Sequence, residues 1–338
     1  MKNQKTRRLT KPTGKALTLG FACCLLISSA HAGITFQFRF GDPVGTGFLD
    51  PTYGPARQAA LNTAANSFSS MFGSHFANSG TIVMEAHATD DLFSGSMAVA
   101  GSRLIPSSKP GFNLGEVIRT RLQNGNDLNG NYADGAVGVN FGKPWNLDLS
   151  IPAKPYQYDF YTAVYHEFTH ALGFASTIKE SGASSFERPS WGAFDSFVTD
   201  RNGNKIIDPI TFNLNQSNWD ISKVGNFAGG GSEGLFFDGP YAVAANHGFL
   251  VPLYAPPIWD NAGSVSHLDE RMLSGDMMMS PFTGTGPRTH DYSPVEVGIM
   301  TDLGYVPAVP EPETSSLLLA GLMLCGWVAR RRETESLH

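Results

Sequence analysis

Between Cys24 and Cys325 the 338-residue chain has no cysteine, and its three cysteines all lie near the two ends. A disulfide framework and a cysteine-ligated metal site are therefore excluded from the body, so any metal ion there must be held by His, Asp or Glu. Charge is also sparse, at 16% of residues with a formal net charge of −6. Basic residues gather at the termini, in Lys2, Lys5, Arg7, Arg8, Lys11 and Lys15 and again in Arg330, Arg331 and Arg332, which leaves the body distinctly acidic. Such a body lacks the electrostatic footprint of a nucleic-acid binder. No repeat of about 20 to 50 residues is visible, which excludes the common solenoids and propellers. What the chain does have is 41% hydrophobic and 11% aromatic residues, enough for a sizeable core. Its 37 glycines and 21 prolines point to loops and turns rather than a helical bundle.

The two ends read as addresses. Behind the basic N-terminal cluster runs ALTLGFACCLLISSA, closed by the small-x-small triplet Ala30-His31-Ala32. This is the layout of a secretory signal peptide over residues 1–32, removed by signal peptidase before Gly33. At the other end Val309-Pro310-Glu311-Pro312 precedes SSLLLAGLMLCGWVA and the Arg330, Arg331, Arg332 cluster. The positive-inside rule accounts for an apolar helix followed by arginines but gives no reason for Pro-Glu-Pro. Residues 309–338 resemble the PEP-CTERM sorting tail of Gram-negative bacteria. That resemblance implies an exosortase-type partner, a transient membrane anchor through the C-terminal transmembrane helix, and final residence at the cell surface or in the extracellular matrix. The working protein is then one domain over residues 33–308.

In that body Ile34, Phe36, Phe38 and Phe40 alternate with polar residues, as in a half-buried strand. Leu61, Ala64, Ala65, Phe68, Met71 and Phe72 recur at helical spacing, with Pro55 opening the segment and Gly73 expected to stop it. Further strands are expected over 81–88 and 136–141, and helices over 114–122 and 156–175. An Asn202-Gly203 turn between 194–199 and 205–207 predicts a hairpin. Ser293-Pro294-Val295-Glu296 reads as a capping box opening a helix that Gly304 closes. The class is α+β.

The strongest chemical signal is His166-Glu167-Phe168-Thr169-His170 within YTAVYHEFTHALGF. On a helix, residues four apart share a face one turn apart, so both imidazoles can reach one ion with Glu167 beside them. Neutral imidazoles leave most of the charge of a Zn2+ ion uncompensated, so a water in its open position can ionise near neutrality. Glu167 is the catalytic candidate, the general base that takes the water proton for attack on a peptide carbonyl and then passes it to the leaving amine. The predicted activity is zinc metalloendopeptidase, with a protein or peptide substrate.

Two helical histidines leave a third ligand to find. In the commonest metzincin pattern, H-E-x-x-H-x-x-G-x-x-H, Gly173 is in place but the last position is Ser176. Glu180, Glu187 and Glu233 stand among Gly, Ser and Pro, poor surroundings for a ligand-bearing helix. The other histidines of the body are His75, His87, His247, His267 and His290. His267 stands in SVSHLDERMLSGDMMMSPFTG, ahead of the capped segment ending Asp302-Leu303-Gly304-Tyr305. In this order of pieces, over residues 136–305, the chain resembles the leishmanolysin-like metzincins. The resemblance implies His267 as third ligand and Met279, two residues before Pro281, as the Met-turn residue, with Met277 and Met278 competing for that role. It also implies an N-terminal mixed-sheet subdomain carrying the zinc helix and an irregular C-terminal subdomain carrying His267 and Met279. The cysteine switch of eukaryotic members is excluded, because the body has no cysteine. The rival from another class is a noncatalytic surface or matrix protein that retains the fold, although a structural role does not require Glu167.

Two acidic loops remain. Asp127-Leu128-Asn129-Gly130-Asn131 begins like a calcium loop but has Tyr132 and Gly138 where glycine and glutamate are needed. Asp200-Arg201-Asn202-Gly203-Asn204 is accounted for by the hairpin turn.

Overall fold

The computed structural model describes residues 33–186, 189–224, 234–273, 275–308 and 321–323. The expected signal peptide, Glu187, Glu233 and nearly all of the sorting tail lie outside the described residues. The N-terminal half runs β1 (Ile34–Phe40), α1 (Gly54–His75), β2 (Gly80–Thr89), β3 (Ala98–Ser102), β4 (Leu104–Ile105), β5 (Gly115–Glu116), α2 (Val117–Asn124), β6 (Gly135–Asn140), β7 (Trp145–Asn146), β8 (Tyr158–Asp159) and α3 (Phe160–Ala171). The remainder is β9 (Val198–Thr199), α4 (Gln216–Ser222), β10 (Leu235–Phe237), α5 (Pro240–Ala245), β11 (Val251–Leu253) and α6 (Pro294–Asp302), joined by long loops. The α+β expectation describes this arrangement.

The main sheet has the order β1-β2-β6-β3. Parallel pairs join β1 to β2 and β2 to β6, and β3 closes one edge antiparallel to β6, with Ala100 opposite Val137. The period-two pattern decides which face is covered. Ile34, Phe36, Ile82, Met84, Ala86, Val137 and Val139 point to the helices, while Thr35, Gln37, Arg39, Glu85 and His87 face outward. Helices α1 and α3 pack on the covered face, where Phe168 of α3 stacks on Phe36 at 4.4 Å and meets Phe68 of α1 edge-on at 5.4 Å. Each such buried ring is worth about 1.5 to 3 kcal/mol of burial, and together they hold the HEFTH segment on the sheet.

Several boundaries differ from the sequence reading. Gly73 does not stop α1, which continues to His75, because Phe72 and Phe76 must both reach Tyr305 in the core. Helix α3 begins at Phe160 rather than 156, since Tyr158 and Asp159 pair with Trp145 and Asn146 first. The strand expected over 194–199 is mostly a 3-10 turn, Phe194–Phe197, followed by β9, which pairs with β10. The turn lets the buried Asp195 carboxylate accept from the main-chain N–H groups of Thr177 and Gly192. The helix expected over 114–122 starts only at Val117, after β5. Strand β3 was not anticipated.

The capping box at α6 forms as expected, and Gly304 leaves the helix at φ +97°. Tyr305 then donates its hydroxyl to the Leu172 carbonyl (2.8 Å), tying the end of α6 to the end of α3.

Candidate metal centre and cleft

Asp159 starts α3 by accepting the N–H groups of Tyr161 and Thr162 on Oδ1, while its Oδ2 meets His290 Nε2 at 2.9 Å. One turn apart on that helix, His166 and His170 present Nε2 to the same point, 3.0 Å from each other. Gly173 ends the helix at φ +106°, a left-handed conformation that favours glycine, and sends the chain back on itself. The reversal brings the Phe174 carbonyl to His170 Nδ1 at 2.7 Å.

The third imidazole arrives on a loop about a hundred residues later. His267 Nε2 lies 3.0 Å from His166 Nε2 and 3.1 Å from His170 Nε2. Its loop is held on three sides: Tyr254 donates to the His267 carbonyl, Leu268 to the Met279 carbonyl, and Asp269 to the Pro252 carbonyl. Val265, two residues earlier, adopts φ +69°, an unusual conformation for a β-branched side chain. Such strain costs about 1 to 3 kcal/mol and persists where the surroundings over-determine it, here through complete burial and a 2.8 Å bond from its N–H to Tyr254 O.

His166, His170 and His267 each set Nδ1 against a main-chain carbonyl, those of Met278 (2.7 Å), Phe174 (2.7 Å) and Gly263 (2.8 Å). Carbonyls only accept, so each Nδ1 carries the hydrogen and each Nε2 is left with a lone pair. Three lone pairs facing one another cannot hydrogen-bond together. A cation among them resolves the conflict, and this outer ring of carbonyls is the usual support of metal-bound histidines. Tetrahedral zinc with bonds of about 2.1 Å needs nitrogens about 3.4 Å apart, a few tenths of an ångström wider than the triangle. The cluster of His166, His170 and His267 can thus hold a metal ion. Burial, the leading cause, lowers all three imidazole pKa values, that of His267 to about 3, so they stay neutral and ready to ligate.

Glu167 lines the same cleft, and its Oε2 accepts the Ala100 N–H of the edge strand β3 at 2.8 Å. Burial pushes its pKa up to about 7, against the downward pull of that N–H. The cleft encloses about 860 Å³ between β3 and the loops around Asp260 and Phe282. Besides the neutral histidines, its ionisable acidic lining side chains are Glu116, Glu167 and Asp260. Glu116 is already paired with Arg119 at 2.7 Å.

The other candidates lie elsewhere. Glu180 is exposed. His75 pairs with Asp291 at 2.6 Å, His290 with Asp159, and His87 lies 4.0 Å from both Asp42 and Glu85. Ser176, at the position where the commonest pattern has histidine, donates to Asp195 at 2.7 Å. Met277, Met278 and Met279 are all buried, and the direct link to a candidate ligand comes from the Met278 carbonyl. In the acidic loops, Asp127 is engaged by Arg121 and by the N–H groups of Asn129 and Gly130. Asp200 likewise accepts from the Asn202 and Asn204 N–H groups.

Sequence reasoning missed three participants. Ala100 carries no side-chain signal, because AVAGS lacks the bulky alternation of a strand. Asp195 is an ordinary acid in the sequence and becomes important only through burial, while Glu296 is legible there as a helix cap but not as a partner of the Met279 N–H.

Residues 308–332 match the PEP-CTERM protein-sorting motif. The protein is therefore exported and surface-sorted, recognised by an exosortase-type enzyme through a C-terminal anchor. No curated protein and no solved structure matches the chain. Among the described residues no helix is long and apolar enough to cross a membrane.

Proposed function

We propose that this surface-sorted protein is a zinc-dependent endopeptidase of leishmanolysin-like metzincin type, with Glu167 as general base and His166, His170 and His267 as metal ligands. The observation that carries this reading is the convergence of three unprotonated Nε2 atoms beside a half-buried carboxylate in an open cleft. An all-imidazole donor set suits zinc and leaves room for a fourth position. Bound there, zinc supplies Lewis acidity toward a water molecule and a substrate carbonyl.

The chain's own residues supply the rest. Glu167, with a pKa near 7, is poised both to take a proton and to give it up near neutrality. The Ala100 N–H fixes the carboxylate against the cleft wall. Strand β3 is an edge of its sheet, and beside the Ala100 N–H its outer side offers main-chain hydrogen bonds to an extended peptide, a mode that accepts any sequence and leaves selection to the side-chain pockets.

The test is zinc content together with cleavage of a mixed peptide library, with and without chelator. The purified protein is expected to hold zinc and to lose activity on chelation. His267→Ala should lose most of the zinc, while His247→Ala and His290→Ala retain it. A zinc-free wild-type protein, or full cleavage in excess chelator, counts against the reading.

A further inference from the structure

The carbonyl that receives His166 Nδ1–H belongs to the peptide group between Met278 and Met279. The N–H end of the same group donates to Glu296 Oε1 at 2.6 Å. The corresponding group at His267, between Gly263 and Ser264, donates instead to the main-chain carbonyl of Asp260. At His166 there is thus a continuous line from a carboxylate through one planar amide to an imidazole whose far nitrogen faces the metal point.

We propose that Glu296 is a positioning residue of the metal centre, acting on His166 through the Met278–Met279 peptide group. The inference rests on the metal-binding part of the reading above and is independent of peptide hydrolysis. A carboxylate on the amide N–H polarises the peptide, making its carbonyl oxygen a stronger acceptor. The stronger acceptor draws on His166 Nδ1–H, fixes the ring and raises electron density at Nε2. The effect is that of the carboxylate–histidine pairs common around bound zinc, with an amide inserted between the partners.

Two observations set Glu296 apart from an ordinary helix cap. A capping box needs one oxygen, and Oε2 fills that role by accepting the Ser293 N–H at 2.7 Å. The second oxygen grips Met279, whose own carbonyl accepts the Leu268 N–H next to His267. One side chain therefore reaches two of the three ligand arms. Glu296 is also fully buried, a costly place for a carboxylate that a cap on the surface would avoid. Burial pushes its pKa up to about 7, and the N–H groups of Met279 and Ser293 oppose that shift.

The experiment measures zinc affinity of the metal-stripped protein by competition with a chromophoric chelator, with no turnover involved. Glu296→Gln, which keeps the size and removes the charge, is expected to bind zinc about 10-fold more weakly, the lower end for loss of such support. Ser293→Ala weakens the helix cap but leaves the carboxylate on Met279, so its affinity should stay within about twofold of wild type. Affinity unchanged in Glu296→Gln, or an equal loss in Ser293→Ala, overturns the proposal. In the wild-type protein, which requires no variant to fold, the Met279 amide proton resonance should shift on zinc loading; a stationary resonance also overturns it. A chain that binds zinc normally but cleaves nothing removes the peptidase reading and leaves the role of Glu296 standing.

Discussion

Glu167 follows His166 on α3, and its carboxylate is fixed by the Ala100 N–H without depending on the metal. Glu167→Gln should therefore keep its zinc, measured by atomic absorption, and lower turnover at least about 100-fold, as loss of a general base does. Near-normal cleavage in that variant removes the proposed mechanism. A second residue-scale expectation concerns Asp195, whose carboxylate gathers Ser176, Thr177 and Gly192 behind the cleft wall. Burial pushes its pKa up from 3.8 to about 6. The folded protein then holds a proton that the unfolded chain releases, so this group's contribution to stability is greatest below about pH 4, falls through about pH 6 and is flat above. The loss attributable to this group is up to about 3 kcal/mol. Asp195→Asn should flatten that slope in thermal melts recorded at a series of pH values, and an unaltered slope refutes the assignment.

At the scale of elements, α3 is fixed at both ends by side chains rather than by its own propensity. Asp159 caps its start and also holds His290, and the Tyr305 hydroxyl caps its finish. Asp159→Ala removes the acceptor for two helix N–H groups, so a loss of about 2 kcal/mol, the upper end for a cap, is expected in chemical denaturation. Metal content should not change, because the ligands lie on the second and third turns, beyond the frayed end. Helix α6 reaches the same cluster through its first turn, where Glu296 accepts the Met279 N–H, and just past its end Tyr305 meets the end of α3.

For the whole molecule, the described body and the sorting tail have separate tasks. The PEP-CTERM match spans residues 308–332 and begins at Ala308, whose N–H pairs with the His75 carbonyl. Every described contact of the centre is made by residues before Ala308. Intact-mass measurement on protein from its native host is expected to show a chain lacking residues 313–338, and a retained tail indicates a permanent anchor. The acidic cleft lining, with no Lys or Arg among its lining residues, belongs to this scale as well.

The HEFTH segment was legible in the sequence because its meaning is local: a helix places residues four apart on one face whatever surrounds it. The first strand and the capping box were legible for the same reason, since spacing and short-range hydrogen bonding define them, whereas the sorting tail was reached by resemblance to a short linear motif. His267 was reached by resemblance, and only the fold shows its Nε2 beside the other two, because no local rule joins residues nearly a hundred positions apart. Strand β3 escaped detection because its small side chains carry no pattern; its part is played by main-chain N–H groups, which every residue but proline possesses. Glu296 was legible as a cap and illegible as a clamp, since its first oxygen serves a neighbour three residues away and its second serves Met279. Tertiary structure decided these contacts because burial gives a lone pair or a carboxylate its chemical weight, and burial is a property of the assembled chain.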